Sequence, residues 1–105
     1  MSNFVACDSI DVVGTSYQGI VTTTFDELVN KFGDPTYTDA SPYEKVNAQW
    51  SLQFDVPTED GEDYDYVTAT IYNWKMGYIP TEKYEWHIGG FDFEAVDLVQ
   101  KVLDN

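Results

Sequence analysis

The chain has 105 residues, with 19 Asp and Glu against five lysines and no arginine, for a formal net charge of −14. Nucleic-acid binders need cationic side chains to displace counterions from phosphates, and anionic membrane surfaces repel such a chain, so the composition argues against both as direct partners. Acidic disordered tails lack aromatics, whereas 16% of these residues are Phe, Trp or Tyr, so the charge belongs to a folded unit, a single domain over residues 1–105.

In chain order, Phe4 to Val13 alternates weakly and reads as a short strand or an ordered arm, closed by Gly14. Tyr17 to Thr22 reads as a strand in which Gly19 marks a bulge or a close backbone contact. Thr24 with Glu27 forms a capping box, Phe25, Leu28, Val29 and Phe32 fall on one helical face, and Gly33 and Pro35 stop the helix. Residues 34 to 44 read as a surface loop. From Lys45 the period changes to two. Val46, Ala48, Trp50, Leu52 and Phe54 point one way, and Asn47, Gln49, Ser51 and Gln53 point to a wet face.

An acidic turn from Thr58 to Asp63 around Gly61 joins this strand to a second, Tyr64 to Trp74, as a hairpin. Tyr84 to Ile88 is the third strand of the meander, ended by Gly89-Gly90. Asp92 caps a last helix whose stripe is Ala95, Val96, Leu98, Val99, Val102 and Leu103. The predicted fold is α+β, in the order β-α-β-β-β-α: an antiparallel sheet of three to four strands with two helices packed on one face.

The lone Cys7 permits no intrachain disulfide and suits a reducing compartment. No segment reads as a transmembrane span or a signal peptide, so the expected location is the cytosol. Cys7 has no cationic neighbour to lower its pKa and reads as a small apolar residue. His87 is the single histidine. Alone it cannot supply a usual metal trio, and it reads as a residue of the wet or partly covered sheet face. Gly89-Gly90 lacks the lysine and third glycine of a phosphate loop and reads as a turn. The acids of 59–65 do not match the offsets of a calcium loop. No catalytic residue, metal or cofactor is therefore assigned, and the chain reads as a binding protein rather than an enzyme.

The acids themselves have two readings. Several serve structure: Asp26, Glu27, Asp92 and Glu94 stand at helix N-termini, and Asp97 can pair with Lys101 one turn on. The remainder centre on Glu59, Asp60, Glu62, Asp63 and Asp65. Asp63 and Asp65 have the strand spacing of ~6.6 Å, close to that of successive phosphates on one strand. Joined by Asp55, Asp39, Glu44 and the neighbouring Asp34, they would imitate a nucleic-acid backbone. The bland alternative is charge that only keeps the chain soluble. Tyr66, Tyr72 and Trp74 share one face of the second strand, with Tyr84 a possible addition from the third. Tyr72 and Trp74 are candidate interface anchors, unless these rings only stabilise the sheet by cross-strand pairing.

The strings Gly14-Thr15-Ser16-Tyr17-Gln18-Gly19, Thr24-Phe25-Asp26-Glu27-Leu28-Val29 and Phe32-Gly33-Asp34-Pro35-Thr36-Tyr37, with Ala69-Thr70-Ile71-Tyr72-Asn73-Trp74-Lys75 and Glu85-Trp86-His87-Ile88-Gly89-Gly90, resemble a family of short, uncharacterised phage-encoded proteins. The resemblance spans most of the chain and implies a phage accessory protein acting in a bacterial host. It carries over no catalytic residue, and the acids of 59–65 make this hairpin more charged than the family's pattern. The expected function is binding and inhibition of a basic host protein, a defence or repair enzyme that handles nucleic acid, through an acidic mimicking surface. The alternatives are a module that sequesters a small ligand or nucleotide on the aromatic face, and a virion or assembly protein.

Overall fold

The computed structural model describes residues 3–7 and 12–105. The elements run β1 (Asn3–Ala6), β2 (Ser16–Thr23), α1 (Phe25–Phe32), β3 (Tyr37–Thr38), β4 (Ala48–Pro57), β5 (Tyr64–Tyr72), β6 (Tyr84–Gly90) and α2 (Glu94–Asp104). The strands form one six-stranded sheet, paired antiparallel throughout in the order β1-β4-β5-β6-β2, with β3 also on β4. The α+β class and the central meander are as expected. The sheet has two more strands than the prediction allowed, because β1 and β3 are too short to show a period.

These two strands share one edge of β4. β1 pairs with Leu52 to Asp55 and β3 with Ala48 and Gln49. Ser51 is the junction between them: its N–H donates to Thr36 Oγ1 (3.0 Å) and its carbonyl accepts from Cys7 N (2.9 Å). A side chain and a strand end thus satisfy the backbone groups that the gap would have left bare. Part of the predicted arm over 4–13 is β1, while residues 8–11 lie outside the described residues.

β2, although early in the chain, pairs with β6 at the opposite edge. The register slips between Tyr17 and Gly19, which is the expected bulge, and a Cβ at Gly19 would lie 3.1 Å from Val96 of α2. α1 begins where Thr24 Oγ1 accepts from Glu27 N (3.1 Å), and it ends at Gly33, whose φ is +83° and whose N–H donates to Val29 O (2.8 Å). At α2 the Asp92 carboxylate accepts from Glu94 N (2.9 Å). Its exposed i, i+4 contact is Gln100 to Asp104 (2.9 Å), in place of the expected Asp97–Lys101 pair.

Both helices lie against the side of the sheet that carries Trp50, Ile71 and Trp86. Phe25 of α1 packs on Trp50 (5.6 Å between centroids) and Trp86 (6.5 Å), and the two indoles meet edge to face at 5.6 Å. Alternation on β4 buries Trp50, Leu52 and Phe54 there, with the Phe4 ring packed at a tilt on Phe54 and on Phe32. Trp50 Nε1 donates to Gly33 O (2.9 Å), whereas the fully buried Trp86 Nε1 has no acceptor among the described residues. Such an orphaned donor costs about 1–3 kcal/mol, which the packing of the same ring must offset.

Four expectations are corrected. Gly89 and Gly90 are not a turn but the last residues of β6, and they are glycine for lack of space. A Cβ at Gly90 would sit 2.7 Å from Ala95 Cβ, and one at Gly89 would sit 2.4 Å from Thr70 Oγ1. Asn47 is not on a wet face: it precedes β4, is buried, and binds Asn73. Val46 also falls before the strand and turns to the open face, where it lies near Gln49 and Tyr72. Tyr84 sits on the helix side, its ring at 5.3 Å from Trp86.

Candidate functional site

The features that the sequence singled out lie at two separate ends of the sheet. At one end β4 and β5 extend past their neighbours. β1 reaches Asp55 and β6 begins its pairing at Ala69, so from Val56 to Asp65 the hairpin is a two-stranded ribbon. Residues 59–66 are all exposed. Glu59, Asp60, Glu62, Asp63 and Asp65 lie on this ribbon, with Asp55 at its base beside Asn3 of β1, and no lysine occurs between Val46 and Trp74.

Part of that charge is committed to the turn. Asp60 Oδ1 accepts from Thr58 Oγ1 (2.5 Å) and from Glu62 N (3.1 Å), and these bonds hold its carboxyl below the ordinary aspartate range. Asp63 Oδ1 accepts from Tyr64 N (2.8 Å), and Gly61 takes φ +71°. Asp63 stands just outside β5, so the two-residue strand spacing to Asp65 is not that of a regular strand. Glu59, Glu62 and Asp65 project without such ties. Asp55 pairs with Tyr66 and Asp65 with Val56, so alternation sends Asp55 and Asp65 to opposite faces of the ribbon.

Asp39 and Glu44 do not join this group. β4 has ten residues, about 33 Å at the rise of a strand, and they lie at its other end. Asp39 is a structural residue: Oδ1 accepts from Ser41 N (2.8 Å), Oδ2 from Tyr37 Oη (3.3 Å), and its carbonyl accepts from Asn47 Nδ2 (2.8 Å). Tyr72 and Trp74, the expected anchors, are also at this far end, so the ten predicted binding residues divide into an acidic ribbon and an aromatic end. Tyr66 stays with the ribbon, opposite Asp55.

The aromatic end is a construction of four strands. Tyr72 faces His87 across the β5–β6 pair, with ring centroids at 5.4 Å, and Tyr17 of β2 closes on His87 from the other side at 5.3 Å. Trp74 stands edge-on to Tyr72 at 6.2 Å. Together Tyr17, Tyr72, Trp74 and His87 line an open depression of about 360 Å³, continued by a groove along Gln49 and Thr70 over Gly89. Burial pushes the Tyr72 hydroxyl up, with the Tyr17 phenol adding to it, and pushes the His87 imidazole down against the opposing charge of Glu85.

Beneath Trp74 the chain is held by a buried amide pair. Asn73 Oδ1 accepts from Asn47 N (2.8 Å) and Ala48 N (3.0 Å). Asn73 Nδ2 donates to Asn47 Oδ1 (3.1 Å) and Tyr78 O (3.0 Å), and Asn47 Nδ2 reaches Asp39 O and Ser41 O. Trp74 N donates to the Tyr84 hydroxyl (3.1 Å), and Lys75 N to Lys45 O (2.7 Å). Lys75 is the one described non-glycine residue with positive φ, +56°. The result is two ammonium groups beside one indole: Lys45 Nζ and Lys75 Nζ lie 5.9 and 5.8 Å from the Trp74 ring centroid.

Sequence reasoning missed Tyr17, Lys45 and Lys75 at this site. The lysines flank the two strands of the hairpin at matching ends, a signal that pairing Gln49 with Tyr72 would have exposed. Tyr17 gave no such signal, because it depends on β2 lying beside β6. Among the described residues no group of three or more His, Cys, Asp or Glu gathers as a metal site, and no helix is long and apolar enough to cross a membrane. Cys7 is half-buried at the end of β1. Compared with known proteins, the chain matches no family model, no curated protein and no solved structure.

Proposed function

We propose that the protein is a phage accessory binding protein that acts in the host cytosol. It inhibits a basic, nucleic-acid-handling host protein by inserting its acidic β4–β5 ribbon where that partner would hold a phosphate backbone. The observation that carries this reading is the ribbon itself: five carboxylates beyond the last neighbouring strand and Asp55 at its base, with no compensating lysine along the hairpin. The molecule measures 47 × 28 × 21 Å along its principal axes, slender enough for the ribbon to enter a groove. Mimicry on this reading belongs to the ribbon alone, with Glu59, Glu62 and Asp65 as the principal contacts. Tyr72 and Trp74 lie too far along β4 to anchor the same groove. The inhibition is steric and electrostatic occupancy and asks for no catalytic residue.

The test is capture of the host partner at low salt, its identification, and measurement of affinity with and without DNA as competitor. Long-range charge should make Kd weaken about tenfold or more between roughly 50 and 300 mM salt. The Glu59→Gln/Glu62→Gln/Asp65→Asn variant should lose most of the binding, and DNA should compete. An affinity indifferent to both salt and this variant would overturn the reading.

A further inference from the structure

We infer that the aromatic end is a second, separate binding site, for a nucleoside monophosphate: the base lies on the rings of Tyr17, Tyr72 and Trp74, and the phosphate is held by Lys45 and Lys75. The inference does not rest on the ribbon, which is at the other end of β4.

Three observations carry it. The first is shape. The depression of about 360 Å³ lined by Tyr17, Tyr72, Trp74 and His87 is near the lower bound of small-molecule sites, the size of one base and sugar rather than a dinucleotide. Its continuation over Gly89 is kept open because that residue has no side chain. Gln49 and His87 at the rim offer hydrogen-bonding groups to the edge of a heterocycle, which an aliphatic or purely aromatic ligand would leave unused.

The second is charge. The chain has five cationic side chains in all, yet two of them meet at one indole beside this depression, in an adjoining hollow that they share with the single carboxylate of Glu44. In a molecule of net charge −14 that local excess is where an anionic group finds complementary charge, and a phosphate next to a stacked ring matches the indole and ammonium pair.

The third is support. The Asn47–Asn73 pair, the Lys75 N to Lys45 O bond and the left-handed turn at Lys75 hold the two lysine backbones beside Trp74. A non-glycine residue in that conformation persists only where its surroundings over-determine it, and such positions cluster at ligand clamps.

The experiment is a titration of the full chain with AMP, GMP, CMP and UMP and with the four parent nucleosides, followed by NMR at the Trp74 indole and His87 imidazole signals. At least one nucleotide should shift both signals saturably and bind about tenfold more tightly than its nucleoside, as a charge-assisted contact gives. Lys45→Gln/Lys75→Gln should abolish that preference while leaving nucleoside affinity within about twofold. Tyr72→Ala should weaken nucleoside and nucleotide alike by about tenfold, the range of one base–aromatic stack. The gentler Tyr72→Leu, which keeps an apolar side chain, guards against misfolding and should fall in between. The proposal is overturned if no nucleotide moves the Trp74 indole at millimolar concentration, if nucleoside and nucleotide bind equally, or if Tyr72→Leu binds as the parent does. The ribbon variant Glu59→Gln/Glu62→Gln/Asp65→Asn should bind the nucleotide normally.

Discussion

The amide oxygen of Asn73 accepts hydrogen bonds from the backbone of Asn47 and of Ala48, while its nitrogen donates back to the Asn47 side chain. Both residues are fully buried, one just before β4 and one just after β5. The pair ties off the open end of the hairpin, opposite its turn, and draws in the 39–41 loop through Asn47 Nδ2. Replacement of Asn73 by Ala leaves two buried amide donors without an acceptor. The Asn73→Ala variant should lose about 2–4 kcal/mol of stability by denaturant unfolding, since each stranded group costs about 1–3 kcal/mol and some will find water. Asn73→Asp keeps the acceptor but sets a carboxylate oxygen against Asn47 Oδ1 and Tyr78 O and buries a charge, so it should be no milder than Asn73→Ala.

The two core indoles should respond differently to the same change. Trp50→Phe strands the Gly33 carbonyl at the end of α1, whereas Trp86→Phe removes a donor that had no acceptor. With similar losses of ring area, Trp50→Phe should be the more destabilising by about 1–2 kcal/mol. Unfolding midpoints of the two variants, measured together, decide this. Equal midpoints would mean that Trp86 Nε1 is satisfied in solution.

Gly89→Ala should be destabilised by about 1–3 kcal/mol, because the new methyl meets Thr70 Oγ1 on the neighbouring strand. Removing that atom relieves the clash. In a double-mutant cycle Thr70→Ala should therefore recover much of the loss, and additive effects would place the cost elsewhere.

His87 is depressed below its ordinary value by burial, with Glu85 opposing. The unfolded chain therefore takes up the proton first as pH falls, so ν is larger in the unfolded state and stability decreases with acidification. This contribution is complete above the unfolded value of about 6.5 and is lost as pH falls from there through the folded pKa. Imidazole chemical shifts should titrate below 6.5, and lower still in Glu85→Gln. His87→Gln should flatten the stability profile in that window. A folded pKa at or above the free value would contradict the burial of the ring.

Much of the fold was legible because local physics and tertiary packing agree there. Thr24, Glu27 and Gly33 announce α1 with the bonds that form it. The alternation of Trp50, Leu52 and Phe54 needs one buried and one open sheet face, and the acidic turn at Gly61 was placed between Pro57 and Tyr64 as found. Asn47 misled because a buried amide looks like a surface one until its partner 26 residues away is known. Gly89-Gly90 misled because two glycines signal a turn by conformational freedom, whereas here they answer to the approach of Thr70 and Ala95.

The acids divide in the same manner. Composition and spacing by themselves determined that the chain is strongly anionic, that it folds as α+β, and that the 59–65 segment concentrates charge at a hairpin tip. Those properties follow from side-chain chemistry and from periods of 2 and 3.6 residues, which need no knowledge of distant neighbours. Only the tertiary structure decided that Asp39 and Glu44 stand a strand's length from that tip. It also decided that β2 flanks β6, so that Tyr17 meets His87, and that Lys45 and Lys75 converge on Trp74. Strand order and the closing of long loops are set by which buried surfaces and backbone groups satisfy one another across the whole chain, and local pattern carries no record of that choice.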